Sequence, residues 1–482
     1  MAVYSQPRLS QMSLFVPMPN TKRNPEPLTI GPPSTRLIWT NSPYLIWGII
    51  LLAFLLRAVL LLVAAGHIAR AFQPDSQTYI DPAIKLISGG GYPADSAWRT
   101  PVYPLFIAII YWIGGQNPIL IVAAQGFVGT LTVLLSYLLG IKVVSRPAAL
   151  LGTFLLAVSV ESITSVFYLL TETLFTFLFL AGMIAWMNGY RDRNKLWLAA
   201  AAILMGLSAL CRPVAVYFPL ILTLGLLLKK GIRWTRRMIH AALFLGLFLL
   251  CLVPWIVRNI YVVGSPTIST ISNYNMLFYE AASLEANLRH VSETQVREEY
   301  TNRVAQVLAE RGWADNEGNR SRVDSLLARQ IILAHPIRFL YVHLKSDLNG
   351  LLPDVTGLTE ILGATVGGKG TLSILNQYGI LAAIRNYFGG QTWLLGLLLP
   401  LIIFVALVYI FALDGAVEIL CHRSWFTLSI LVMPVLYFLI LPGAASLPRF
   451  RVPVMPYICL LAGAGLQAAW AYFKGWERKK SK

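Results

Sequence analysis

Charge is scarce in this 482-residue chain: 13% of its residues are Asp, Glu, Lys or Arg, against 56% that are hydrophobic. A water-soluble protein of this length needs more polar side chains to cover its surface, which excludes a cytosolic enzyme. Cysteine is scarcer still. The four, Cys211, Cys251, Cys421 and Cys459, fall in or beside apolar runs, so they are expected as free thiols and give neither a disulfide framework nor a thiolate metal site. The six histidines show no ligand spacing such as His-x-x-x-His, which argues against a histidine metal centre. Acid is the rarer sign of charge, with 22 Asp and Glu against 39 Lys and Arg. A nucleotide-binding domain or P-loop has no room in the short connections between apolar runs.

Those runs set the fold class. A hydrocarbon core about 30 Å thick takes roughly 18 to 20 apolar residues of helix to cross. Ten stretches are expected to do so, near residues 44–66, 118–141, 148–167, 172–189, 196–211, 214–228, 239–257, 392–413, 425–442 and 452–473. Trp47, Trp197, Trp255, Trp393 and Trp425 near their ends suit the aromatic belts of the two interfaces. The expected architecture is an all-α polytopic membrane protein of about ten transmembrane helices, with juxtamembrane helices and a mainly helical extracytoplasmic module. With the N-terminus inside, twenty Lys and Arg of the tails and short connections fall on the cytoplasmic side and six on the other. The positive-inside rule therefore places both termini in the cytoplasm, and most of the +17 net charge is a topology signal.

The chain divides accordingly. Residues 1–42, rich in proline, read as a disordered cytoplasmic tail. Residues 43–257 form an N-terminal transmembrane catalytic module that includes a first outer loop, 67–117. In that loop a 12-residue apolar stretch ending at Gly115 is too short to span and reads as an interfacial or re-entrant helix. Asp81 before Pro82 suits a helix start, and Asp95 a turn. Residues 258–390, with 12 basic and 12 acidic residues, form the extracytoplasmic module. A helix over 292–312 places Val296, Tyr300, Val304 and Val307 on one face. Residues 321–353 continue as helix interrupted at Pro336, the latter half lying on the membrane surface. Gly363 to Gly370 reads as a mobile loop. Residues 391–473 return to the membrane, and 474–482 are a basic cytoplasmic tail.

Ionisable residues collect at the outer ends of the spans: Asp75, Arg99, Glu172, Arg212, Arg258, Arg449 and Arg451. Guanidinium forks at headgroup depth suit the phosphate of a lipid, and a nearby carboxylate suits proton abstraction from an attacking hydroxyl. Singly, an Arg at a span end often only reaches for lipid headgroups, and Glu172 equally suits a helix cap. Arg57, inside the first span, is read as snorkelling or paired to a polar neighbour, and Glu161 as a weaker candidate.

The order of motifs carries a resemblance. Asp75 in the first outer loop is followed by Arg99-Thr-Pro-Val-Tyr103-Pro, Leu170-Thr-Glu172-Thr-Leu-Phe, Cys211-Arg212-Pro213, Pro254-Trp-Ile-Val-Arg258-Asn259 and Arg449-Phe-Arg451-Val-Pro. Over roughly residues 44–473 this resembles the GT-C membrane glycosyltransferases, in particular the branch of protein O-mannosyltransferases and bacterial lipid A aminoarabinose and galacturonic acid transferases. The resemblance implies transfer of a sugar from a polyprenyl-phosphate donor to an acceptor hydroxyl of a lipid, glycan or protein, on the extracytoplasmic face of a bacterial inner membrane. It implies Asp75 as catalytic base or acceptor-positioning acid and Glu172 as a second carboxylate beside it. Arg99, Tyr103, Arg212, Arg258, Asn259, Arg449 and Arg451 would bind substrate. Some relatives have paired Asp-Glu in the first loop, where this chain has Asp75-Ser76. No cofactor is expected to be required, and a divalent cation shared by Asp75 and Glu172 is the less favoured arrangement. The competing class is a flippase or transporter of polyprenyl-linked lipid. It would carry ionisable groups at mid-membrane and related halves, which the sequence does not display.

Overall fold

A computed structural model describes residues 42–93, 96–363 and 393–480, with short pieces between 378 and 386. The tail, Asp95 and residues 364–370 of the Gly-rich stretch lie outside the described residues. The described residues form helices and turns, with no strand among them.

The segment expected as the first outer loop follows α1 (Tyr44–His67) and consists of a 3-10 turn, α2 (Gln77–Ile87) and α3 (Val102–Gly114). Next come α4 (Pro118–Val143), α5 (Arg146–Val158) and the one-turn α6 (Val160–Thr164). Asn117 and Ser145 cap α4 and α5 by accepting from the backbone N–H groups of Ile119 and Ala148, each with a proline in the first turn. Then follow α7 (Glu172–Asp192), α8 (Lys195–Cys211), α9 (Phe218–Leu228) and α10 (Trp234–Val263).

Among the described residues, six helical stretches are long and apolar enough to cross a membrane: Tyr44–Ala71, Pro118–Val143, Glu172–Asp192, Trp234–Val263, Leu394–Cys421 and Pro448–Lys474. The other four expected spans fall on shorter apolar helices. Helix α5 has 13 residues, because Ser159 adopts extended backbone and breaks the run 148–167. Helices α8 and α9 have 17 and 11 residues and are separated by the turn at Pro213. The run 425–442 gives a helix of 16 residues. The chain is thus an integral membrane protein of all-α, polytopic architecture, with six helices of spanning length and shorter apolar helices among the described residues.

The module expected outside the membrane comprises α11 (Ile271–Asn275), a π turn (Met276–Ala281), α12 (Ala282–Arg289), α13 (Glu293–Glu310), α14 (Glu317–Ala334), α15 (Pro336–Asp347) and α16 (Val355–Ile361). Val296, Tyr300, Val304 and Val307 are buried on one face of α13, against Leu277, Phe278 and Val323. Helix α15 exposes Ile337, Leu340, Tyr341 and Leu344, a stripe at helical spacing that suits a helix lying on a lipid surface. Asp81 does not start a helix: α2 begins one turn earlier, and the Asp81 carboxylate accepts from Gln77 inside it.

The last helices are α17 (Trp393–Cys421), α18 (Trp425–Ile440) and α19 (Met455–Lys480). Helix α19 is wedged between α5 and α17 through small residues. A Cβ on Gly415 or Gly465 would run into the backbone carbonyl of Leu461 or Phe411 on the facing helix. Close approach of this kind is how membrane helices gain packing energy without a hydrophobic drive between them.

The module is clasped to the turn before α19. His343 bonds through Nδ1 to Glu280 (2.9 Å) and through Nε2 to the Ile440 carbonyl (2.8 Å). Glu280 accepts from the Ala444 N–H at 2.9 Å, and Asp347 from the Gly443 N–H at 2.7 Å.

Candidate active site

The turn Gln73–Ser76 sets the position of Asp75. The Ser76 hydroxyl accepts from the Gln73 N–H at 2.9 Å, and the Ser76 N–H donates to the Gln73 carbonyl at 2.8 Å. The fold this imposes turns Asp75 outward just before α2. Its Oδ1 lies 2.7 Å from Arg99 Nη2 and its Oδ2 3.2 Å from Arg449 Nη2. Arg99 is itself held by α2: Nε donates to Thr78 Oγ1 at 2.8 Å, Nη1 donates to the Tyr79 hydroxyl at 3.1 Å, and the guanidinium lies 4.5 Å from the Tyr79 ring centroid. Burial raises the Tyr79 phenol above its usual value and keeps it neutral.

A second carboxylate stands beside the first. Glu172 opens α7, where the helix dipole favours negative charge. Its Oε1 is 2.9 Å from Arg212 Nη1 and 3.8 Å from Arg449 Nε, so Arg449 spans both acids. Arg212 ends α8 and lies over the Phe450 ring at 4.9 Å. The other Glu172 oxygen, Oε2, is buried without a hydrogen-bond partner among the described residues. Asp75 is 40% exposed, while the side chains of Arg99, Glu172 and Arg212 are 11%, 6% and 17% exposed. One accessible carboxylate is therefore mounted on an enclosed network of two acids and three guanidinium groups, which has a surplus of positive charge for an anionic ligand.

Four of the residues singled out in the sequence do not join this network. Tyr103 is buried and donates to Gln125 at 2.9 Å; its ring meets Tyr79 edge-on at 5.2 Å, so it braces the residue that holds Arg99. Arg258 donates to the carbonyls of Pro93 and Ser96 and to Asn259 Oδ1, pinning the first outer loop to α10. Asn259 donates to the carbonyls of Thr267 and Ile268. Arg451 is fully buried and paired with Glu161, and it also donates to the Leu351 and Leu352 carbonyls and to Tyr409. Arg57 is likewise buried, donating to Ser162 Oγ at 2.9 Å and the Ala53 carbonyl at 3.0 Å. Sequence reading missed Thr78 and Tyr79. They lie three and four residues after Asp75, a helical spacing visible once α2 is known to begin at Gln77. The guanidinium of Arg449 sits between Asp75 and Glu172, where a shared divalent cation would have to displace it.

Residues 98–257 match the family model of dolichyl-phosphate-mannose-protein mannosyltransferase. No curated protein sequence matches the chain significantly. Among solved structures, the oligosaccharyltransferase of Archaeoglobus fulgidus in the apo form is similar at 12% identity and a TM-score of 0.49, over 91% of this chain and 52% of that one. The present chain thus spans about half the length of the archaeal enzyme. The same archaeal protein with an inhibitory peptide and a dolichol-phosphate gives 14% identity and a TM-score of 0.47, over 90% of this chain and 52% of that one. ArnT from Cupriavidus metallidurans bound to undecaprenyl phosphate gives 13% identity and a TM-score of 0.34, over 86% of this chain and 77% of that one. The family match falls on the segment that carries Arg99, Glu172 and Arg212, and over that third of the chain it supports the resemblance to the GT-C membrane glycosyltransferases.

Proposed function

We propose that this protein moves a sugar from a polyprenyl-phosphate donor to an acceptor hydroxyl on the extracytoplasmic face of a bacterial inner membrane. The observation that carries the reading is the exposed Asp75 carboxylate held by Arg99 and Arg449 beside the Glu172–Arg212 pair. The family match over residues 98–257 and the charge asymmetry of the connections support it.

In the proposed step the acceptor oxygen attacks the anomeric carbon and forms the new glycosidic bond. The bond from that carbon to the phosphate oxygen breaks, its electron pair staying on the phosphate, and the acceptor proton passes to Asp75. Charge grows on the leaving phosphate, and the guanidinium groups of Arg449, Arg212 and Arg99 are positioned to stabilise it more than the ground state. Glu172 fixes Arg212 and Arg449. Transfer is inverting in this scheme, since one carboxylate acts as base and no covalent sugar–enzyme bond forms.

The test is mass spectrometry of products after the protein, in lipid nanodiscs, is incubated with a panel of polyprenyl-phosphate sugars and acceptors. Release of free polyprenyl phosphate together with a glycosylated acceptor is expected, and Asp75→Asn should lower the rate by at least about 100-fold. Translocation of labelled lipid without any covalent product would replace this reading with a flippase. Full activity of Asp75→Asn would remove Asp75 from the chemistry.

A further inference from the structure

The extramembrane module contains a cleft of about 640 Å³, within the roughly 300–1,000 Å³ range of small-molecule sites. Its walls come from the first outer loop, α11, the π turn, α13 and α14. One wall is aromatic: Trp98 meets Tyr274 edge-on at 5.1 Å, and Tyr274 stacks on Phe278 at 4.5 Å. The facing wall is polar. Among its acids, Asp315 is paired with Arg320, and Glu317 accepts from the Ala97 N–H at 2.9 Å and the Thr270 hydroxyl at 2.6 Å. Asp324 is different. It lines the cleft at 5% exposure and makes no hydrogen bond or ion pair among the described residues. Burial pushes its carboxyl up to about 7.

A carboxylate in so enclosed a place is favoured by a hydrogen-bond donor brought into the cleft, Arg320 acting on it only at longer range. The cleft holds that group toward its interior, beside flat apolar rings. Carboxylates outnumber guanidinium groups on the lining, so anionic ligands are disfavoured. We infer that the cleft binds a neutral saccharide, the sugar's C–H faces lying on Trp98 and Tyr274 and a hydroxyl donating to Asp324. The aromatic wall favours a saccharide over a basic peptide, which would use the acids and leave the rings bare. Trp98 is followed by Arg99, which holds Asp75. Trp98 of the cleft and Arg99 of the transfer site are consecutive residues, and on that link we take the saccharide as the acceptor or its anchoring part. That acceptor role rests on the transfer reading; the binding itself does not.

Saturation-transfer NMR of the full chain in nanodiscs tests the binding, with no donor present. The probes are neutral tri- to pentasaccharides of hexoses, N-acetylhexosamines and deoxyhexoses, an oligogalacturonate as the anionic arm, and an oligolysine as the peptide arm. At least one neutral saccharide should bind, weakened about tenfold or more by Asp324→Ala and by Trp98→Ala. Asp324→Asn should raise the unfolding temperature while weakening binding, so lost binding is not misfolding. Absence of neutral saccharide binding, preference for oligogalacturonate or oligolysine, or binding unchanged in both alanine variants would overturn the assignment. A lower unfolding temperature in Asp324→Asn would also end it, because the protein itself would then be satisfying that carboxylate. Saccharide binding with no transfer from any donor leaves the cleft standing and fails the transfer reading. Transfer with an acceptor KM unchanged in Asp324→Ala leaves the transfer reading standing and overturns the acceptor role of the cleft.

Discussion

Arg449 and Arg451 are two residues apart in the same 3-10 segment, yet one reaches the open carboxylate network and the other is sealed in the protein interior. The Arg451–Glu161 pair is enclosed on both sides, so removing one partner leaves an uncompensated buried charge. Glu161→Gln should destabilise the protein by about 3–5 kcal/mol, and Glu161→Met with Arg451→Met should recover much of that loss. Thermal unfolding in detergent measures both. A Glu161→Gln protein as stable as the parent would show that the pair is solvated. Asp75, Arg99, Glu172, Arg212 and Arg449 were legible in the sequence because they stand at or near the ends of apolar runs. The fate of Arg258, Asn259 and Arg451 was not. Their partners are mainly backbone carbonyls of Pro93, Ser96, Thr267, Leu351 and Leu352, and a carbonyl is present at every residue, so its availability depends on the tertiary path alone.

At the scale of elements, the apolar periodicity of α13 and the interruption at Pro336 could be read directly, since buried faces repeat at helical spacing and proline ends a hydrogen-bond ladder. Helix length could not. Hydropathy counts apolar residues through Ser159, whereas the backbone stops there; the break at Pro213 was read, but not how short the helices on either side are. The clasp between α15 and the turn at Gly443–Ala445 has its own pH dependence. The Glu280 carboxylate on His343 raises its imidazole to about 9, well above its ordinary 6.5. A folded-state pKa raised in this way gives stabilisation that is complete below about pH 6.5 and is lost as pH rises toward 9. Hydrogen exchange in 276–289 and 336–347 should therefore quicken between pH 6.5 and 9.5, after correction for the intrinsic rate. His343→Gln should flatten that change; an unaltered profile in the variant would place the origin elsewhere.

For the whole molecule, the uneven distribution of Lys and Arg gives a topology that can be checked without any engineered label. Cys421 is an exposed free thiol at the end of α17, next to His422 and Arg423, on the side proposed as cytoplasmic. A membrane-impermeant maleimide should modify it in inverted vesicles and not in intact spheroplasts. Labelling from the outside would invert the orientation and move the Asp75 network to the cytoplasm. The bundle and the module are also joined by more than the covalent chain. Residues 93 and 96 are held by Arg258, Ala97 by Glu317 and Thr270, and Trp98 by the Ser269 hydroxyl.

That double claim on a few residues limits how this architecture can be recombined. A chimera that exchanges 258–390 for a foreign counterpart while keeping its own 93–98 would inherit a hinge cut for a different socket. Arg99 would be misplaced even though every charged group of the bundle was retained. Successful grafts should be those that carry the short outer strip along with the module, as one unit of inheritance split into two stretches of gene.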